Sequence, residues 1–345
     1  MALCSCSSFS PLRLRRKGNN VKKNDPGSIH GDEELKTNFD MQWEEFTDVN
    51  WEEFTNVKFL AQGNFARVHS AEFKGRRVAV KVMRPDVDRV DAQKQFDIEI
   101  SIMRDIKHKN IVRFYGGGTT SEQHPRPFII LELMEMGTLQ NLLENNGFSL
   151  FPNRRKSISS MKLNQRLEVV LMLAEGLHYL QEVAYPDRHI LHRDLKPHNF
   201  GWTANGCLKI MDFGLATTIP RNLNENKAYC MTGETGTVRY MPPEVALGKP
   251  YNEKSDVYSF ALIAWQVLTG CIPYGGFCVS QLEQYVFHEH HRPSCPKKWP
   301  QELLELLEMC WSPVIEKRPS FSKIVSILSE ILCLQKVTPT TAPTT

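Results

Sequence analysis

His192-Arg193-Asp194-Leu195-Lys196-Pro197-His198-Asn199 is the sharpest segment of this 345-residue chain. Thirteen residues beyond Asn199 comes Asp212-Phe213-Gly214, directly preceded by Ile210-Met211. On the N-terminal side, Leu163 to Glu182 sets Leu167, Val170, Leu171, Ala174 and Leu177 at helical spacing, and Ser255 to Leu268 does the same further on. Helical periodicity dominates from Leu139 onward. Residues 57 to 135 differ: short β-rich runs (VHSAEF, RVAVKVM, IVRFYGG, FIILELM) alternate around one helical stretch near residues 90 to 106. The pattern predicts an α+β chain, with a small sheet carrying one helix followed by a larger helical lobe. No internal repeat of solenoid length is present.

Composition narrows the function without naming it. Lysine and arginine total 42 against 39 acids, a formal charge of +3, so charge argues for neither nucleic acid nor a membrane surface as partner. The nine cysteines contain no C-x-x-C pair, which speaks against a zinc site or a disulfide framework and fits a reducing compartment. No run of eighteen apolar residues occurs, and the N-terminus lacks the apolar core of a secretory signal. The expected location is cytoplasmic. Organelle targeting is the alternative, because residues 1 to 24 are Ser-rich and basic with no acid before Asp25. Cys4 and Cys6 beside that basic run leave room for acylation and membrane association through this tail alone; Ala2 excludes myristoylation.

Trp43 to Asn50 (WEEFTDVN) is nearly repeated by Trp51 to Lys58 (WEEFTNVK). The second copy runs into the apolar start of the fold, so the first reads as an acidic, aromatic pre-strand packing on the small lobe. Residues 1–53 are expected to form a largely disordered extension, 54–333 the folded domain (small lobe 54–133, large lobe 137–333), and 334–345 a Thr/Pro-rich tail.

The 192–199 segment resembles the catalytic loop of eukaryotic protein kinases, H-R-D-L-K-P-x-N, at every specified position. The resemblance extends over roughly residues 54 to 333 and implies a bilobal kinase fold that binds ATP and Mg²⁺ and acts on protein substrates. It implies Asp194 as the catalytic base orienting the substrate hydroxyl, and Asn199 and Asp212 as magnesium ligands through hard oxygens. Val78-Ala79-Val80-Lys81 resembles the strand whose lysine holds the α- and β-phosphates, with Glu99 on the next helix as its ion-pair partner. Leu60, Ala61, Gly63 and Val68 would cover the nucleotide and Ala79 would back it. Leu131-Glu132-Leu133-Met134 would be the hinge whose backbone bonds the base, with Leu131 guarding the rear of the pocket. Lys196 and Thr237 are the serine/threonine type. Glu244 is expected to pair with Arg318, and Asp256 to anchor the catalytic loop from below. Ser255 to Phe260 and Cys310-Trp311-Ser312 look most like the tyrosine-kinase-like group of serine/threonine kinases.

The chain departs from the pattern in two places. Ala61 and Ala66 replace the first and third glycines of the phosphate-covering loop, which should stiffen it or reshape its grip. Gly201 stands where a leucine usually floors the adenine site; Phe200 or Trp202 could fill the space, or the floor could be shallower. These departures motivate a rival reading, a pseudokinase acting as a scaffold. Finally, phosphorylation of Thr232 or Thr235 by an upstream kinase is expected to order the segment between Asp212 and Glu244 through Arg193. Arg154-Arg155-Lys156-Ser157 resembles a basophilic phosphosite, although a plain solvated loop is the simpler reading.

Overall fold

Alternating β-branched and apolar residues from Thr55 to Glu132 pair into one sheet, and the computed structural model shows how it is built. The structure describes residues 46–121, 124–144, 158–221, 227–231 and 236–337, all within one unit spanning Glu44–Thr345. Six strands, β1 (Phe46–Asn50), β2 (Thr55–Gln62), β3 (Ala66–Phe73), β4 (Arg76–Met83), β5 (Phe114–Thr119) and β6 (Pro127–Glu132), lie in the order β1-β5-β6-β4-β3-β2. Helix α1 (Arg89–Met103) follows β4; its N-cap Asp88 accepts from the Val90 and Asp91 amides, and Ala92, Phe96, Glu99, Ile102 and Met103 form its buried face. In β4 the alternation fails, because Val78, Ala79, Val80, Val82 and Met83 are all buried, as suits a central strand covered on both faces.

β1 pairs in parallel with β5, with Val49 opposite Gly118. Close approach at that edge requires glycine: a Cβ on Gly118 would overlap the Val49 carbonyl oxygen, and one on Gly117 would lie 2.6 Å from the Phe128 carbonyl oxygen. A helical turn at Trp51–Glu53 then seats Trp51 against Phe128 (ring centroids 5.6 Å apart) and Phe54 (5.5 Å), and Phe54 against Phe73 (5.1 Å). The duplicated octapeptide thus splits its work: the first copy supplies β1, and the second supplies the aromatic plug and the start of β2.

The larger lobe is helical. It contains α2 (Leu139–Leu143), α3 (Leu163–His178), α4 (Pro243–Ala246), α5 (Lys254–Thr269), α6 (Val279–Gln281), α7 (Gln301–Cys310) and α8 (Phe321–Val337). Two small ribbons interrupt them: β7 (Arg188–Leu191) with β10 (Thr217–Pro220), and β8 (Phe200–Trp202) with β9 (Leu208–Ile210). The helical stretch expected from Leu163 to Glu182 passes after His178 into a π-helical turn, Tyr179–Val183. α5 is buried along nearly its whole length, from Ser255 to Leu268, and stops at Gly270 in the left-handed conformation (φ +76°). It is therefore the central strut of the lobe, beneath the loop that follows β7.

Candidate active site

The loop between β7 and β8 carries His192 to Asn199, and the lobe beneath fixes it from two sides. Asp256, in the first turn of α5, accepts the His192 amide (2.7 Å) and the Arg193 amide (3.0 Å), while Gln181 adds a longer bond of 3.4 Å. Burial pushes the Asp256 carboxyl pKa up, against the lowering effect of His192 and these bonds. On the other side His192 Nε2 meets the Met211 carbonyl at 2.9 Å and its ring lies 5.1 Å from that of Phe213. Arg193 and Asp212 both adopt left-handed backbone (φ +64° each), a conformation that costs a non-glycine residue energy and persists only where surrounding bonds enforce it.

A separate set of bonds converges on Asp194, only 8% exposed. Lys196 Nζ donates to its Oδ2 at 2.6 Å, Thr237 Oγ1 donates to its Oδ1 at 3.0 Å, and Asn199 Nδ2 donates to its main-chain oxygen at 2.8 Å and to Oδ2 at 3.2 Å. With its amide nitrogen so used, Asn199 has Oδ1 left for a cation. Across the cleft, Lys81 Nζ sits 2.7 Å from Glu99 Oε2 and 2.7 Å from Asp212 Oδ1. Burial works against the Lys81 charge, but the two carboxylates outweigh it and hold its pKa above the ordinary lysine value. Lys81 in turn pulls Asp212 down to about 2, so that carboxylate is ionised at any physiological pH. Glu99, on the buried face of α1, has its pKa raised by burial, partly offset by Lys81. Asp212 remains 46% exposed toward the cleft, and with Asn199 Oδ1 it offers the hard oxygen donors that magnesium prefers.

The apolar side of the cleft joins the two lobes. Ala79 lies opposite Leu131 in the β4–β6 ladder, and both are buried. Val68 is half-buried against the core, while Leu60 is 43% exposed and Ala61 is exposed. The Glu132 carboxylate is occupied outside the cleft, 2.9 Å from Lys209 Nζ and accepting the Arg113 amide, so Glu132 has only its backbone to offer a base. No hydrogen bond among the described residues uses the Met134 amide N–H.

Both departures from the expected pattern acquire physical reasons. No residue from Leu60 to Val68 takes the left-handed region, so the methyl groups of Ala61 and Ala66 strain nothing, and Ala66 is buried in the core. At Gly201 it is neither Phe200 nor Trp202 that fills the space. A Cβ there would overlap Met134 Cγ and lie 2.8 Å from its Cβ and Sδ, so the hinge methionine occupies the leucine's place. Backbone bonds from Met136 to the Trp202 carbonyl (3.1 Å) and from Trp202 to the Gly137 carbonyl (2.9 Å) bring the hinge down onto β8. Gly201→Leu should therefore cost about 1–3 kcal/mol by overpacking, and adding Met134→Ala should recover much of it. Thermal unfolding of the single and double variants checks this; an unchanged melting temperature for Gly201→Leu would refute the packing argument.

Beneath α4, Arg318 forks onto Glu244 at 2.5 and 2.9 Å, with both side chains buried. Arg193 donates to the Leu215 carbonyl at 2.7 Å and the Tyr251 hydroxyl at 3.3 Å. Thr232 and Thr235, and Arg154 to Ser157, lie outside the described residues. Among the described residues no helix is long and apolar enough to cross a membrane. Sequence reasoning placed Arg84 in no role, although its side chain contacts the loop joining β2 to β3; a cation three residues after Lys81 carried no recognisable signal.

Residues 54–328 match the family model described as protein tyrosine and serine/threonine kinase. The chain is 32% identical over 275 residues to the serine/threonine-protein kinase STY17 of Arabidopsis thaliana, covering 80% of this chain and 44% of that protein. It is 31% identical over 304 residues to the serine/threonine/tyrosine-protein kinase HT1 of the same plant, covering 87% and 72%. Over 280 residues it is 32% identical to the dual specificity protein kinase shkD of Dictyostelium discoideum, covering 79% and 34%. The chain thus spans less than half the length of STY17 and shkD.

Proposed function

Because the chain belongs to the protein tyrosine and serine/threonine kinase family, whose members use ATP and a divalent metal, we propose that it transfers the γ-phosphate of Mg-ATP to serine and threonine hydroxyls of protein substrates. Its likeness to STY17 and HT1 places it with the tyrosine-kinase-like group. The observation that carries the acceptor preference is the clamp on Asp194: Lys196 and Thr237, the two residues of serine/threonine type, bond its two carboxylate oxygens.

In this reading the Asp194 carboxylate accepts a hydrogen bond from the incoming hydroxyl, holds it in line, and takes its proton as the new oxygen–phosphorus bond forms and the bond from the γ-phosphorus to the β–γ bridging oxygen breaks, releasing ADP. Lys196, already at that carboxylate, places positive charge beside the transferring group. Lys81, oriented by Glu99, holds the α- and β-phosphates. Leu60, Ala61, Gly63 and Val68 cover the nucleotide against Ala79, and the backbones of Glu132 and Met134 bond the base. Asp212 and Asn199 would hold the magnesium ion, which when bound would supply positive charge to neutralise the phosphate oxygens. None of Ala61, Ala66 and Gly201 removes a group that this chemistry uses, so no observation favours the scaffold alternative. The same reading extends to regulation: phosphate placed on Thr232 or Thr235 by an upstream kinase would be drawn to the guanidinium of Arg193.

The test is transfer of labelled γ-phosphate to a generic acceptor protein, followed by phosphoamino-acid analysis. Phosphoserine or phosphothreonine that disappears when EDTA removes the metal supports the proposal. Phosphotyrosine alongside them would place the chain with the dual-specificity relatives. No label under any condition, with folded protein, would overturn it.

A further inference from the structure

The loop joining β2 to β3 is held by a residue with no part in the chemistry above. Arg84, the first residue after β4, donates widely: its amide goes to the Phe65 carbonyl (2.9 Å), and its Nη1 goes to the carbonyls of Gly63 (3.0 Å) and Asn64 (3.1 Å). The rest of the guanidinium is gripped by Asp86, with Nε bonding Oδ1 at 3.0 Å and Nη2 bonding Oδ2. Three successive carbonyls at the loop tip are thereby turned toward one side. Peptide units are planar and trans, so a fixed C=O fixes the N–H of the next residue in the opposite direction. For the two carbonyls that the guanidinium holds, those of Gly63 and Asn64, the following amides are Asn64 and Phe65, and neither donates a hydrogen bond among the described residues. Adjacent N–H groups turned the same way form an anion-binding concavity.

We propose that Arg84, oriented by Asp86, is a positioning residue that latches the tip of the nucleotide-covering loop and aims the Asn64 and Phe65 amides at phosphate oxygens. The latch does the work usually left to flexible glycines, in a loop where two of three have been replaced by alanine. Arginine suits the task because its planar fork can satisfy a carboxylate on one edge and two carbonyls on another. The inference rests on the nucleotide-binding reading of the cleft, but part of its test does not.

Amide exchange in nucleotide-free protein comes first: Arg84→Ala should speed exchange in a peptide covering residues 61–66 and leave the helical lobe unchanged. Binding then separates the latch from simple charge. With magnesium present, Arg84→Ala should weaken a non-hydrolysable ATP analogue roughly tenfold, the size of one lost charge-assisted contact, and leave adenosine unaffected. Asp86→Asn decides the sign. Removing a negative charge near the phosphates should tighten binding if Arg84 acts only as a cation, whereas the latch requires weaker binding because the guanidinium loses its orientation. Arg84→Lys, which keeps the charge and loses the fork, should resemble alanine more than wild type. Tighter binding by Asp86→Asn, parallel loss of adenosine and ATP analogue, or unchanged exchange at 61–66 would each overturn the latch. Wild-type protein that binds no nucleotide would overturn the kinase reading, and this inference with it.

Discussion

Asp194→Asn should bind nucleotide as tightly as wild type yet transfer phosphate roughly 10²–10⁴ times more slowly, the range over which a positioned general base contributes. Asparagine matches the shape of aspartate and still offers an oxygen to Lys196 or Thr237, so the loop should keep its form. What disappears is a group able to take the hydroxyl proton. The loss should therefore fall on kcat and leave KM for ATP nearly constant, as expected when an interaction specific to the transition state is removed. Steady-state kinetics, with a melting curve to confirm folding, check the result. A kcat within tenfold of wild type would remove Asp194 from the role of base.

The second large effect concerns stability. Arg318→Ala should destabilise the domain by about 3–5 kcal/mol, because it strands the Glu244 carboxylate in the interior without its partner. Arg318 is fully buried, and beyond Glu244 it donates to the carbonyls of Ser312 (2.9 Å) and Lys254 (3.2 Å), so α4, α5 and the approach to α8 all meet at this one guanidinium. For a domain of this size the melting temperature should fall by roughly 6–15 °C. Arg318→Lys should fall between the two, since an ammonium cannot reproduce the fork. The double replacement Arg318→Met with Glu244→Leu should recover part of the loss, because the cost lies mainly in leaving one charge alone. A change below 1 kcal/mol in Arg318→Ala would mean that water reaches the pair. Activity should suffer too, since α4 follows closely the segment that brings Thr237 to Asp194.

The chain declares some of this in its sequence and withholds the rest: the long-range meetings of Glu244 with Arg318 and of Asp256 with the His192 amide are expected only through the family resemblance, whereas what the residues declare by themselves is local. Asp194, Lys196 and Asn199 lie within one short loop, so their meeting needs only local geometry. Lys81 and Glu99 are legible for a related reason: a strand leads directly into a helix, and the helix turns Phe96, Glu99 and Met103 to one buried face. The strands and long helices show as runs and periodicities. The Met134–Gly201 contact does not, because it depends on backbone bonds tying the hinge to a different lobe's ribbon. The latch is hidden for another reason: the bonds of Arg84 end on carbonyl oxygens, which every residue possesses, so no residue type marks the recipient. The glycines of β5 carry no such mark either: the arrival of β1 explains Gly118, and the close approach of Phe128 on β6 explains Gly117.

That arrival has a practical side. Without residues 46–50, β5 becomes the outer strand of the sheet, with its peptide groups bare and Gly116, Gly117 and Gly118 offering no side chain to obstruct a newcomer. Flat, unguarded margins of this kind invite pairing between molecules. A polypeptide cut to begin at Phe54, where the family match begins, would carry every catalytic candidate and still be prone to clump, whereas one retaining the upstream strand brings its own guard against self-association.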